Sequence, residues 1–247
     1  MCLTFTTLAR KEIFHMRKRK YTPLCSNPVV EISRVDSERA MIEPVSFEDS
    51  HSKTPPQGMP CPTIHNIVST SQIKSDKTID LLALSLILPY SFYDRQRFAA
   101  ITIRLKSPDC TTLLFSSGKL VVTGGRNWYE CVLASLCVCN ILRESFPARD
   151  FNLVNCEIQN IVAHVELPMG PDDILDIHSM YSKLELHCMY QKTMFPGLVY
   201  RPESSPVVLL CFYSGKIVIT GGKTTQDVHE GWKKLWPTVR VFMRSKK

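Results

Sequence analysis

Ten cysteines are present, but no two stand in a C-x-x-C pair. That absence excludes zinc ribbons and dithiol redox motifs, which need two sulfurs at this spacing. Cys137 and Cys139 share a helical stretch, and Cys110, Cys156 and Cys211 lie in or beside strand-like segments. They read as buried, reduced thiols of an intracellular protein. Nor does any apolar run reach membrane-span length; Leu81 to Leu88 is eight residues and reads as the buried end of a helix. A secretory signal is not expected either, because Met1 to Arg10 is weakly apolar and the basic run Arg17 to Lys20 follows it. Glycine-rich phosphate loops are missing, and no C-x-x-C exists to complete the zinc set of a deaminase. The seven histidines are scattered, without a base–nucleophile pairing. The expectation is a protein with no catalytic residues, no metal, no cofactor, no small-molecule substrate and no membrane span.

What the chain does have is one stretch used twice. Phe98 to Arg126 returns without a gap 97 residues later as Phe195 to Lys223, with twelve of 29 positions identical. A shorter pair precedes it, Asn66-Ile-Val68 matching Asn160-Ile-Val162. Two copies are too few for a solenoid and fit two halves about a pseudo-two-fold axis. The boundaries expected are a tail over 1–59, a first repeat over 60–150 and a second over 151–247. The tail has no sustained periodicity and is broken by prolines, so it reads as disordered; its Arg17 to Lys20 run is either an import signal or a solvated charge cluster. Net charge is +7, which favours a polyanionic partner.

Periodicity then places the elements. Strands are predicted over 63–70, 98–105, 112–116 and 119–123, with a helix over 76–86 and a sheet break at Gly124-Gly125. Asn127 caps a long helix to about Ser145. The second half repeats the order: a strand over 153–166, a helix over 172–181, strands over 195–201, 207–213 and 216–220, and a helix over 225–243. A connected antiparallel sheet with helices on one face is α+β.

Side chains alternate across a strand, so the two faces separate by parity. Ile67, Ile101, Ile103, Leu105, Leu114, Leu120 and Val122 are uniformly aliphatic and belong under helices. The opposite parity carries Asn66, Val68, Phe98, Ala100, Thr102, Arg104, Leu113, Phe115, Ser117, Val121 and Thr123. Its second-half counterpart carries Asn160, Val162, Phe195, Arg201, Leu210, Phe212, Ser214, Val218 and Thr220. A mixed face with four unprotected Phe suits neither core nor solvent, and points to binding. The parity lists hold almost no acid, while Lys119, Arg126, Lys216 and Lys223 gather near the turns. Donors at the middle, apolar residues between and cations at the rim suit the minor groove of DNA, where A·T pairs offer only acceptors. Aromatic rings on such a sheet can wedge between base steps and bend the duplex.

From Cys61 to Lys247 the chain resembles the TATA-box-binding protein family. The motifs that carry the resemblance are the two N-I-V strands, Arg97-Phe-Ala-Ala100, Phe115-Ser-Ser-Gly-Lys119, Val122-Thr-Gly124, Phe195-Pro-Gly-Leu198, Phe212-Tyr-Ser-Gly-Lys216 and the junction Phe151 to Val162. The resemblance implies a saddle, a ten-stranded antiparallel sheet with four helices on its convex face. It implies nuclear transcription initiation by minor-groove binding and bending of A·T-rich, TATA-type promoter DNA. Carried over by position, Phe98 with Phe115 and Phe195 with Phe212 would intercalate. Asn66, Asn160, Thr123 and Thr220 would meet the central base pairs, over a floor of Val68, Leu113, Val121, Val162, Leu210 and Val218. Arg104, Ser117, Lys119, Arg201, Ser214 and Lys216 would meet phosphates. The implied partners are IIA- and IIB-type general factors and TBP-associated factors.

Two departures fall on the opposite surface. Where the family carries an acidic Tyr-Glu-Pro-Glu-Leu stirrup for the IIB-type factor, this chain has Tyr190, Gln191, Lys192, Thr193 and Met194. Where the family's long first-half helix is strongly basic, residues 128–145 hold one base, Arg143. The alternative function is therefore a divergent relative that serves as an interaction scaffold with weak or altered DNA specificity.

Overall fold

The computed structural model describes Pro56, residues 58–184 and residues 187–245. The expected disordered tail and its basic run lie outside the described residues, apart from the last few positions before Pro60. Among the described residues the strands are β1 (Thr63–Lys74), β2 (Ser91–Phe92), β3 (Ala100–Arg104), β4 (Thr111–Phe115) and β5 (Lys119–Gly125) in the first half. The second half supplies β6 (Asn152–Glu166), β7 (Asp173–Leu175), β8 (Cys188–Met189), β9 (Leu198–Tyr200), β10 (Val208–Cys211), β11 (Lys216–Gly222) and β12 (Met243–Ser245). Four helices are described: α1 (Leu81–Ile87), α2 (Trp128–Ser145), α3 (Ile177–Leu184) and α4 (Thr225–Val241).

Ten strands form one antiparallel sheet in the order β2-β3-β4-β5-β1-β6-β11-β10-β9-β8. The order is palindromic about the β1–β6 pair, so the sequence repeat becomes a structural one. The aliphatic parity is buried as expected: Ile67, Ile101, Leu114, Leu120 and Val122 are at most 1% exposed. Ile101, Leu114, Leu120 and Val122 join Ala134, Val138 and Leu142 of α2 in one core, while Ile67 joins Ile161, Leu209, Ile217 and Ile219 against Val228, Trp232 and Leu235 of α4 in another. Helices on one face and an unlayered opposite face follow from that alternation.

Each long helix starts where the sequence supplies a cap. Asn127 Oδ1 accepts from Glu130 N, and Thr224 Oγ1 accepts from Asp227 N, whose carboxylate in turn accepts from Thr224 N. The short helices depart from expectation. α1 begins at Leu81 rather than 76 because Asp80 Oδ1 takes the N–H groups of Leu82 and Ala83, and Arg149 pins the preceding loop through Asp76 and the Thr78 carbonyl. The helix expected over 172–181 is displaced to Ile177–Leu184: residues 173–175 instead pair with β12 in a two-stranded sheet, and Asp176 Oδ1 accepts from Ser179 N. β12 also ends α4 before Met243. Gly124-Gly125 does not break the sheet; β5 runs to Gly125, and Gly124 absorbs a register shift at φ +106°.

Candidate nucleic-acid interface

The uncovered face is built from ranks of cross-strand partners. One rank reads Phe92, Thr102, Leu113, Val121, Thr70 and Glu157; the matching rank reads Met189, Val199, Leu210, Val218 and His164. Val68, Leu113, Phe115, Val121 and Thr123 are half-buried there, as are Val162, Leu210, Phe212, Val218 and Thr220. Two residues of the expected set are not open. Ala100 and Thr102 are 2% and 5% exposed, small side chains flanked by their larger partners Phe115 and Leu113.

The two aromatic pairs meet edge to face. Phe98 and Phe115 lie 6.0 Å apart between centroids at 61°, Phe195 and Phe212 5.7 Å apart at 66°. Both geometries fall in the favoured T-shaped range. The tighter pair faces Gly197, where an added Cβ would come within 2.8 Å of Phe195 Cε1 and 3.1 Å of Phe212 Cε1. The first repeat has Ala100 at that position.

Near the pseudo-two-fold axis the two asparagines are held identically. Asn66 Oδ1 accepts from Gly124 N at 2.7 Å, and Asn160 Oδ1 accepts from Gly221 N at 2.7 Å. A backbone donor fixes which end of each carboxamide is oxygen. Each amide nitrogen is thereby left for other acceptors, although Asn160 Nδ2 also lies 3.2 Å from Thr220 Oγ1. The Thr123 hydroxyl reaches Asn66 Oδ1 at 3.3 Å, and the Thr220 hydroxyl reaches Asn160 Oδ1 at 3.3 Å. All four polar residues proposed for the middle of the face are thus brought together, two by two.

Arg104, Ser117, Lys119, Arg201, Ser214 and Lys216 are exposed at strand ends and hairpin tips. None of these four cations takes part in an ion pair among the described residues. The tips need glycine: Gly118 and Gly215 both adopt φ +81°, and a Cβ at Gly118 would stand 2.0 Å from the Ile73 carbonyl oxygen.

Residue reasoning missed part of this surface. Glu157 pairs with Thr70, and Gln159 Nε2 donates to Thr70 Oγ1 at 2.9 Å while Lys223 Nζ donates to Gln159 Oε1 at 3.1 Å. Glu166 stands opposite Lys216, where the first repeat sets Gln72 opposite Lys119. The face is therefore not nearly free of acid, as the parity lists suggested. His164 shares it, its ring 5.8 Å from that of His65. Simple alternation from Val162 points to His164 and Glu166. It does not point to Glu157, because a bulge between Asn160 and Ile158 reverses the parity.

Away from this face, Tyr190 is half-buried against Tyr181, while Gln191, Thr193 and Met194 are exposed. The single base of α2, Arg143, donates from Nε and Nη2 to the Phe151 carbonyl. The eight described cysteines are all free, and burial pushes the Cys110 thiol up to about 12 and that of Cys131 up to about 11. Among the described residues no cluster of three His, Cys, Asp or Glu side chains is placed to hold a metal.

The family model described as "Transcription factor TFIID (or TATA-binding protein, TBP)" matches residues 61–145 and 155–242. TATA-box-binding protein 2 of Arabidopsis thaliana is 37% identical over 188 residues, 74% of this chain and 88% of that protein. The TATA-box-binding protein of Schizosaccharomyces pombe is 34% identical over 186 residues, 74% of this chain and 76% of its own length. Among solved structures, the TBP of Methanococcus jannaschii matches with a TM-score of 0.61 and 32% identity, covering 74% of this chain and 99% of that one. The two matched segments are the two halves of the palindromic sheet, and the family is one of transcription factors, not enzymes. This chain belongs to the TATA-box-binding protein family.

Proposed function

We propose that the chain binds A·T-rich promoter DNA in the minor groove and bends it to nucleate transcription initiation in the nucleus. The observation that carries the reading is the pair of asparagines. Backbone N–H groups of Gly124 and Gly221 hold both Oδ1 atoms. The amides therefore present donors to the minor groove, whose A·T edges offer only acceptors. An apolar floor of Val68, Leu113, Val121, Val162, Leu210 and Val218 leaves no polar partner for the protruding amino group of G·C pairs. The paired rings of Phe98 with Phe115 and Phe195 with Phe212 supply wedges at either end, and Lys119, Lys216, Arg104 and Arg201, with the Ser117 and Ser214 hydroxyls, meet phosphates. The repeats over 60–150 and 151–247 are its two halves.

On the other surface the chain meets IIA- and IIB-type factors and TBP-associated factors through altered contacts. Tyr190, Gln191, Thr193 and Met194 replace the acidic stirrup, so the native IIB-type partner carries compensating changes. A gel shift on TATA and G·C-substituted duplexes tests the whole reading. The wild-type chain is expected to shift only the TATA duplex, and Asn66→Asp with Asn160→Asp to lose at least about tenfold in affinity as donors become acceptors. A conventional IIB-type factor is expected to add no further shift. Equal binding of both duplexes by the wild-type chain, or no effect of the paired substitution, overturns the reading.

A further inference from the structure

α1 and α3 are one element used twice, so each is a control for the other. Leu81 and Leu84 are buried in α1, as Ile177 and Met180 are in α3, and these positions anchor each helix to the sheet. The outward positions differ in kind. α1 presents Leu82, Leu86 and Ile87, which are 63%, 83% and 52% exposed, where α3 presents His178, Ser182 and Lys183. The contrast continues beyond the helix: Tyr90 is 44% exposed where the second repeat has His187. Single exposed apolar residues are ordinary, but a run of them that the fold does not need marks an interaction surface.

This patch opens into a groove of about 940 Å³ between α1 and residues 92–96, lined by Ile79, Leu81, Leu82, Phe92, Tyr93 and Arg95 among others. Its two carboxylates are already engaged. Asp80 caps α1, and Asp94 accepts from Gln96 N and lies 3.3 Å from Arg97 Nε. Arg95 is exposed and joins no ion pair among the described residues. Beyond the helix, Lys106 Nζ sits 5.7 Å from the centre of the exposed Tyr90 ring. Neither Arg95 nor Lys106 joins an ion pair among the described residues, so the apolar patch carries two cations open to carboxylate partners.

We propose that the α1 face and its groove dock a segment of another protein that carries bulky apolar side chains flanked by carboxylates. The apolar residues fill the groove between Leu82 and Phe92, and the carboxylates pair with Arg95 and Lys106. A second copy of this chain is disfavoured, because it would bring the same two cations face to face. α1 and its exposed leucines lie on the helix side of the sheet, away from the DNA reading, while Phe92 on the other wall of the groove also ends a rank of the open face.

The test uses the full chain with a photo-crosslinking phenylalanine at Leu86, or at Lys183 on the exposed side of α3 as the control, in nuclear extract of the source organism, with the captured peptide sequenced. A Leu/Glu amphipathic helix labelled with fluorescein, and its Leu/Gln counterpart, serve as defined probes in solution. The expected results are a crosslink at 86 and not at 183, to a peptide with apolar residues flanked by Asp or Glu, and at least about fivefold tighter binding of the Glu probe. Arg95→Glu should abolish that preference, and Leu86→Ser should remove both probes while leaving the TATA gel shift unchanged. The absence of a crosslink, equal crosslinks at 86 and 183, capture of this chain itself or of a basic peptide, or indifference to Arg95→Glu overturns the proposal.

Discussion

At the scale of single residues the face is decided by what small side chains allow. Gly197 leaves room for the Phe195 and Phe212 rings to close to 5.7 Å, whereas Ala100 accompanies a first pair at 6.0 Å. Gly197→Ala places a methyl within contact range of both rings and the Cys211 carbonyl. Overpacking of this kind costs about 1–3 kcal/mol. The expected outcome is a lower melting temperature, rings spread toward the first pair's geometry, and a reduced bend on the second-repeat side in a fluorescence measurement on TATA duplex. An unchanged bend with unchanged stability would mean that the rings do not act as one wedge. Most of this face was legible from alternation alone, because strand parity is fixed wherever one side is buried. Glu157 was not: Asn155 sits at φ +53° and the strand bulges on either side of Glu157, and an extra residue leaves no mark on a hydrophobic pattern when no glycine supplies it. Ala100 and Thr102 stand on the expected face but are covered, for another reason. Parity assigns a direction, not an exposure, and larger neighbours cover short side chains.

At the scale of elements, long ones were legible and short ones were not. α2 and α4 announce themselves by Asn127 and Thr224 before an apolar period of several turns. α3 is eight residues, and the acidic residues at 172, 173 and 176 look like a helical first turn when only Asp176 serves that role. Residues 173–175 are claimed instead by β12, a partner nearly seventy residues away that no local pattern reveals. Asp176 is the hinge of that arrangement. Ser179 N and Oγ donate to its carboxylate and Arg244 Nη1 lies 3.1 Å away, so its carboxyl is held below the ordinary value of 3.8, first by the Ser179 bonds and then by the charge. A carboxyl depressed in the folded state stabilises above its unfolded value and loses that contribution as pH falls through the folded one. Asp176→Asn should therefore lower the melting temperature near neutrality, and the gap from wild type should close as pH falls below 3.8. A gap independent of pH would assign the effect to packing instead.

At the scale of the whole molecule the palindromic sheet makes two rims that are alike in geometry and unlike in charge. Lys119 stands opposite a neutral Gln72 and Lys216 opposite Glu166, although both lysines top the same hairpin turn. On a polyanion every neutralised phosphate releases counterions, so the logarithm of affinity falls by about 0.9 per contact for each tenfold rise in salt. Lys119→Ala should remove nearly one such contact. Lys216→Ala should remove less, because the adjacent carboxylate already offsets part of the lysine's charge toward the duplex. Glu166→Gln should act in the opposite sense, raising affinity for all duplexes alike and steepening the salt dependence, since a rim charge carries no base readout. Gel shifts across a salt series on TATA and scrambled duplexes separate these outcomes. Equal slopes for the two lysine variants, or weaker binding by Glu166→Gln, would place Glu166 away from the phosphate path and return the two rims to equivalence.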